Sequence, residues 1–394
     1  MPAPRPLDGV LVLALEHAIA APFATRQLAD LGARVIKIER PGTGDFARAY
    51  DDRVHGLASH FVWCNRSKES LTLDLKHPEA AAILARLVDR VDILVQNLAP
   101  GAAARLGLDE ATLRPSHPRL ILCDISGYGA DGPDRDRKAY DLLIQAESGF
   151  LSVTGTADAP AKAGISIADI AAGMYAYTGI LAALLQRGQT GRGSHVQISM
   201  LEALGEWLGF PLYYAFEGAP PPPRFGAAHA TIAPYGPVPT ADGTLLLGIQ
   251  NEREWAVFCA DILGTPGLAT DPRFHSNIRR VENRDALMAV VAATFATLTT
   301  ADAETRLAAA GIAYARLRDM AALWDHPQLA ARNRWREIAS PAGPLPALLP
   351  PASSDAFAPR MDPVPALGEH TGAILAELGY APGDIARLRG SRAV

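Results

Sequence analysis

Asp169 is the residue in this sequence best placed for covalent chemistry. It lies in Ser166-Ile167-Ala168-Asp169-Ile170-Ala171-Ala172-Gly173, at the head of a run of small and apolar residues with helical spacing. An aspartate there has two readings. It can be a plain N-cap, accepting backbone N–H groups at the helix start and stabilising it by roughly 0.5–2 kcal/mol. It can equally be a nucleophile, because a carboxylate is ionised at neutral pH and needs only positioning and partial removal of water. Asp141 is the second carboxylate to weigh, with a cap or turn as its expected role.

Gly127-Tyr128-Gly129-Ala130-Asp131-Gly132 is a literal GxGxxG after a strand. A dinucleotide site of that kind needs a helix to open at once, with its N-terminus on the pyrophosphate. Here Pro133 and a charged stretch follow, so the segment reads as a loop whose glycines let backbone amides approach a bulky ligand. Gly42-Thr43-Gly44 reads the same way. His17, beside an AIAAP turn, is either a packed imidazole or a donor to a carboxylate or oxyanion that titrates near neutrality. Tyr140 is either a hydrogen-bond donor in a site or an ordinary half-buried tyrosine, and His229 has no assigned role. No HExxH, HxH or carboxylate cluster suggests a metal.

The elements that must position these residues alternate in type. Val10–Leu15, Ala33–Ile38, Leu71–Leu75, Val91–Val95 and Leu120–Ile125 read as strands, and Ala18–Leu31, Pro78–Val88 and Ala102–Leu106 as helices. That alternation predicts an α/β fold with a parallel sheet, whose ligands lie beyond the carboxyl ends of the strands. A long helix follows Asp169 to near Gly188, and Ser194–Ser199 is a further strand. Residues 1–217 read as one large domain, 218–236 as a Pro/Gly-rich linker, and 237–330 as a smaller α+β domain. Residues 331–366 read as a second linker, and 367–394 as a tail with one helix, Thr371–Leu378.

Bulk composition narrows the function. The 394 residues are 49% hydrophobic, enough for two cores. A net charge of -5 makes a poor non-specific nucleic-acid binder, so any anionic ligand is held by local Arg and Lys. Cys64, Cys123 and Cys259 are far apart and odd in number, which predicts no disulfide or structural zinc and a reducing cytoplasm. The near-apolar run Ile170–Leu185 falls short of the ~20 residues that span a bilayer, so no membrane partner is expected.

Several ordered blocks carry a family resemblance: LDGVLVLALEHAIAAPFATRQLADLGARVIKIERPGTGD, SLTLDLK, VQNLAPGAAARLGL, ISGYGADGP, KAYDLLIQAESG, SIADIAAGMYAYTGILAALL, TGRGSHVQISML and LGEHT. Together they cover nearly the whole chain, which resembles the class III CoA transferases of the CaiB/BaiF type. The resemblance implies a Rossmann-like large domain built from both chain ends and an interlocked homodimer. CoA would be a substrate, with no permanently bound cofactor. It implies Asp169 as the catalytic carboxylate, and Arg40, Leu73, Lys76, Asn97, Leu98, Arg105 and Lys138 as CoA contacts, with Tyr140 beside them. His17 stands where relatives often have Gln. Gly127 and Gly129, or the helix start, would supply N–H donors to an oxyanion.

The chemistry implied is transfer of CoA from an acyl-CoA to a free acid through a mixed anhydride and an aspartyl-CoA thioester. The look is closest to the subgroup handling C4–C5 dicarboxylates such as itaconate, mesaconate, malate and succinyl-CoA. Arg48, His55, His60, Arg66 and Arg224 are unranked cations for a second carboxylate. The rivals are an α-methylacyl-CoA racemase on the same fold, an NAD-dependent dehydrogenase, and a catalytically inert binding protein. Racemisation needs two acid/base groups, and related racemases have His where this chain has Tyr140.

Overall fold

The computed structural model describes residues 4–394. Two compact units result: the first gathers the chain up to Ser148, Ala163–Gly209 and Leu329–Val394, and the second gathers Gly149–Lys162 and Phe210–Gln328. The elements through residue 207 run β1 (Leu11–Leu15), α1 (Ala20–Asp30), β2 (Arg34–Glu39), α2 (Ser59–Asn65), β3 (Lys68–Thr72), α3 (Ala80–Val88), β4 (Ile93–Gln96), α4 (Ala102–Arg105), α5 (Glu110–Leu113), β5 (Ile121–Ser126), α6 (Asp141–Glu147), α7 (Phe150–Val153), α8 (Ile167–Thr190), β6 (His195–Ser199) and α9 (Met200–Trp207).

The six strands form one parallel sheet in the order β3-β2-β1-β4-β5-β6. The order in which strands are added reverses between β1 and β4, the switch point at which open α/β sheets bind ligands. The inner strands read as apolar runs because both faces are covered. On one face Leu13, Ile36, Leu71 and Leu94 pack with Ile83, Leu84 and Leu87 of α3 and with Ile374, Leu375 and Leu388 near the C-terminus. Alternate strand residues point the other way, where α1 and α8 pack against the strands. These two helices meet closely because the contact is made of small residues: a Cβ on Gly173 would lie 2.7 Å from the Ala20 carbonyl oxygen. With 24 residues, α8 is longer than the sequence suggested and is long and apolar enough to cross a membrane. Here it packs against α1, α6, α9 and β6.

The C-terminal segment is pinned to the sheet edge. His370 N donates to the Ser70 carbonyl (3.0 Å), and Thr371 Oγ1 accepts from Thr72 N (3.0 Å). The tail carries two helices, Thr371–Glu377 and Pro382–Gly390, where the sequence suggested one.

In the second unit β7 (Tyr235–Pro239), β8 (Thr244–Gly248) and β9 (Ala313–Arg316) form an antiparallel sheet. Val238, Leu245 and Leu247 share its core with Trp255, Phe258 and Phe295. Gly149–Lys162, read from the sequence as part of the large domain, groups here. The Arg224 guanidinium donates to the carbonyls of Thr156 (2.8 Å) and Ala157 (3.0 Å). The stretch read as a second linker belongs to the first unit and carries an antiparallel hairpin, β10 (Trp335–Ile338) with β11 (Leu345–Leu348).

Candidate active site

Asp169 is the third residue of α8, after the N-cap residue Ser166, so the plain N-cap reading does not hold. The capping is done from outside the helix by Asp141, the first residue of α6. Asp141 Oδ1 accepts from the amides of Ala168 (2.8 Å) and Asp169 (3.3 Å), and its Oδ2 from Gln145 Nε2 (2.6 Å). Gln145 is fully buried, and its Oε1 accepts from Ala163 N at 2.9 Å. The Asp169 backbone is therefore clamped while its side chain is left over: among the described residues, no N–H or O–H donates to its carboxylate. Burial, and then the neighbouring charge of Asp141, push the Asp169 carboxyl up from 3.8 to about 7. A strongly perturbed, unbonded carboxylate is the pattern of a functional-site candidate. A high-pKa carboxylate is also a better nucleophile than an ordinary one.

Sequence reasoning missed Tyr50, which faces this group. Burial and the nearby Asp45, Asp169 and Tyr140 push its phenol up to about 12. Tyr140 itself is exposed and precedes Asp141 at the N-cap of α6. Tyr50 is the third in a row of four rings. His17 stacks on Phe46 (5.3 Å), Phe46 tilts against Tyr50 (5.8 Å), and Tyr50 meets His60 edge-on (5.4 Å). A loop aromatic outside any periodic pattern gives no sequence signal.

His17 follows β1 at the switch point. Its N–H donates to Asn97 Oδ1 and its carbonyl accepts from Asn97 Nδ2, both at 2.9 Å, tying the ends of β1 and β4 together. The next residue, Ala18, is held in the left-handed region (φ 60°) by its N–H bond to Asp45 Oδ1 (3.1 Å). Below lies a fully buried ion network, in which Lys37 Nζ is 2.8 Å from Asp45 Oδ2 and Lys68 Nζ is 2.6 Å from Glu16 Oε1. Buried charges persist only when paired, so this network fixes the turn from beneath. Burial pushes the His17 imidazole down from its ordinary value, which keeps it neutral at pH 7. Its buried Nδ1 has no partner.

The residues expected to meet CoA follow the carboxyl ends of neighbouring strands. Arg40 comes after β2, Leu73 and Lys76 after β3, and Asn97 and Leu98 after β4, with Arg105 closing α4. Arg40, Lys76, Arg105 and Lys138 are all exposed. Among the described residues none of the four is in a salt bridge. Two expectations need refining. The Leu73 side chain is in the core, leaving only its main chain for a ligand, and the Asn97 side chain is spent on His17. The helix-start amides proposed as oxyanion donors are already taken by Asp141, and Gly129 N donates to Ser126 Oγ at 3.1 Å. Gly127 is required for space, since a Cβ there would lie 2.2 Å from the Ala139 Cβ. No helix opens after Gly132 until α6, so the glycine motif does not form a dinucleotide fingerprint.

The unranked cations also sort themselves. Arg48 is bound to Glu39 and lies 3.6 Å over the Phe61 ring, and Arg66 is buried against Asp30. Arg224 is used within the second unit, where His229 also stacks on Tyr235. His55 is exposed, and only His60 joins the ring row.

Exposed cations beyond the strands of a Rossmann-like sheet, with a carboxylate in the same unit that is unbonded among the described residues, fit the class of α/β enzymes that act on anionic ligands. The profile of CoA-transferase family III matches residues 7–371, and the chain belongs to that family; it is a CoA-transferase. It is 35% identical to a succinate–glutarate CoA-transferase of Agrobacterium fabrum over 95% of this chain and 96% of that protein. It is 33% identical to a succinyl-CoA–D-citramalate CoA-transferase of Chloroflexus aurantiacus over 99% and 98%. The crystal structure of a CAIB/BAIF family protein from Brucella suis superposes with a TM-score of 0.83 at 33% identity, covering 95% of this chain and 99% of that one.

Proposed function

We propose that this enzyme moves CoA from a dicarboxylic acyl-CoA such as succinyl-CoA to a C4–C5 dicarboxylic acid, with Asp169 as the covalent nucleophile. The observation that carries this reading is the clamped backbone and free carboxylate of Asp169. An Asp169 oxygen attacks the thioester carbonyl, the C–S bond breaks, and CoA leaves as thiolate from a mixed anhydride. The thiolate then attacks the Asp169 carbonyl carbon and expels the donor acid as its carboxylate, leaving an aspartyl-CoA thioester. The acceptor carboxylate attacks that carbon and releases thiolate again. The thiolate then takes the acyl group from the second anhydride, so Asp169 is regenerated.

Arg40, Lys76, Arg105 and Lys138 receive the CoA phosphates, and neutral His17 donates to an oxyanion or substrate carboxylate. Tyr140, Tyr50 and His60 line the acyl side. The relatives named for succinate, glutarate and citramalate support the dicarboxylate choice. We further propose an interlocked homodimer. The stretch 207–216 exposes Trp207 (45%), Phe210 (53%), Leu212 (62%) and Tyr213 (81%), an apolar surface that a second copy would cover. Three buried free cysteines fit a cytoplasmic enzyme.

The test is succinyl-CoA with glutarate, citramalate, mesaconate, itaconate and malate in turn, following new acyl-CoA by chromatography. Transfer to at least one acid, lost in Asp169→Ala, is expected. Exchange of an α-proton for solvent deuterium in D2O without any acceptor, and no transfer, would move the protein to the racemase reading.

A further inference from the structure

Two carboxylates meet at the start of α8, and only one is accounted for by the transfer chemistry. Asp141 makes no contact that requires a substrate. Its Oδ1 closes on the amides of Ala168 (2.8 Å) and Asp169 (3.3 Å), and its Oδ2 is held by Gln145 (2.6 Å), which is itself buried and tied to Ala163. The helix could have been capped locally, because Ser166 is its N-cap residue, yet the Ser166 side chain makes no capping bond. The cap is instead an ionised group brought from another helix to the backbone of the nucleophile.

We propose that Asp141 is the positioning residue of the nucleophile: its clamp fixes the Asp169 backbone, and its fixed negative charge makes the ionised form of Asp169 more reactive toward the thioester. The inference rests on Asp169 being the residue acylated. Repulsion between the two carboxylates is present while Asp169 is free and disappears once Asp169 is an anhydride or thioester, because both are neutral. The same charge therefore raises the basicity of the attacking oxygen and favours the acylated enzyme.

The other charged and titratable groups around α8 are differently engaged. On α1, Arg26 and Asp30 pair with each other at 2.9 Å, alongside Tyr177. Glu202 and Glu206 are on α9, while Tyr50, with Tyr140 beside it, faces Asp169 from a loop and has its phenol pushed up to about 12. Burial pushes the Asp169 carboxyl up, and among the described residues Asp141 is the charged group that adds to that rise, to about 7.

The test separates the clamp from the charge. Asp141→Asn keeps the acceptor for both amides but sets its Nδ2 against Gln145 Nε2. Adding Gln145→Glu restores that hydrogen bond and the bond from Ala163 N, while moving the charge away from Asp169. The readout is the rate of CoA adduct formation on Asp169 with succinyl-CoA, by quench and intact-protein mass spectrometry between pH 5.5 and 8.5. In the wild type the rate rises with pH, with a midpoint near 7. In both Asn-containing variants the midpoint falls by about one pH unit, and the rate at pH 8.5 falls with it. Asp141→Ala, which loses the clamp as well, is at least ~10-fold slower at every pH. An unmoved midpoint and unchanged rate in the double variant overturn the charge role, and wild-type adduct rates in Asp141→Ala overturn the clamp. A wild type that forms no adduct with any acyl-CoA instead removes the nucleophile assignment on which the inference stands.

Discussion

Replacing Asp169 with Asn should stabilise the protein, and more so as pH rises. The Asp169 carboxyl moves from its ordinary 3.8 to about 7 on folding, because burial and Asp141 both oppose its ionised form. A raised carboxyl favours the fold fully below pH 4, where both states are protonated, and its contribution is lost as pH climbs through 7. Each pH unit of displacement is about 1.4 kcal/mol, so the complete difference is about 4 kcal/mol. Between pH 5 and 8.5 the folded carboxyl ionises across about two of those units, about 2.7 kcal/mol, which solvent access reduces to roughly 1.5. For a unit of this size that is about 3 °C in melting temperature. Differential scanning calorimetry of both proteins at pH 5 and pH 8.5 measures it. The Asn variant should melt higher than wild type at pH 8.5 by about 3 °C more than it does at pH 5. An equal offset at the two pH values, or one larger at pH 5, refutes the claim that Asp169 is held in an unfavourable ionised state.

Three further outcomes follow from the same geometry. His17→Ala should lower kcat about 100-fold by removing one donor. His17→Gln should retain most of it, and similar rates in the two variants would remove the donor role. Arg40→Ala and Arg105→Ala should each raise KM for acyl-CoA about 5-fold at low salt, with little change in kcat and a smaller effect at 0.5 M salt; effects on kcat alone would place these cations elsewhere. Gly127→Ala should lower the melting temperature and kcat together, because its Cβ would fall 2.2 Å from the Ala139 Cβ. Wild-type values for both would show that the loop yields freely.

The sheet was legible because buried parallel strands leave apolar runs, unbroken at Val10–Leu15 and broken only by Asp124 at Leu120–Ile125. The helix bearing Asp169 was legible from its small apolar face. Its first residue was not, because a helix start is set by which groups meet the free amides, and the group here is Asp141, 28 residues from Asp169. The helix over Pro382–Gly390 was missed although Pro stands at its first position, because its Ala381 N-cap carries no capping side chain. Lys37 is fully buried in β2 between Ile36 and Ile38, a local signal that a buried carboxylate must lie nearby. Which carboxylate is a question of tertiary contact: Asp45 and Glu16 reach it from two different loops. Tyr50 had no signal at all, since its significance comes from the charges that surround it.

The central claim is that CoA passes through a covalent bond to Asp169. Intact-protein mass spectrometry after mixing with succinyl-CoA in the absence of acceptor tests it most directly. The expected result is a mass increase of one CoA, mapped by peptide digestion to Asp169, absent in Asp169→Asn and discharged on adding a dicarboxylic acid. Turnover at the wild-type rate in Asp169→Asn, or an adduct on a different residue, would contradict it.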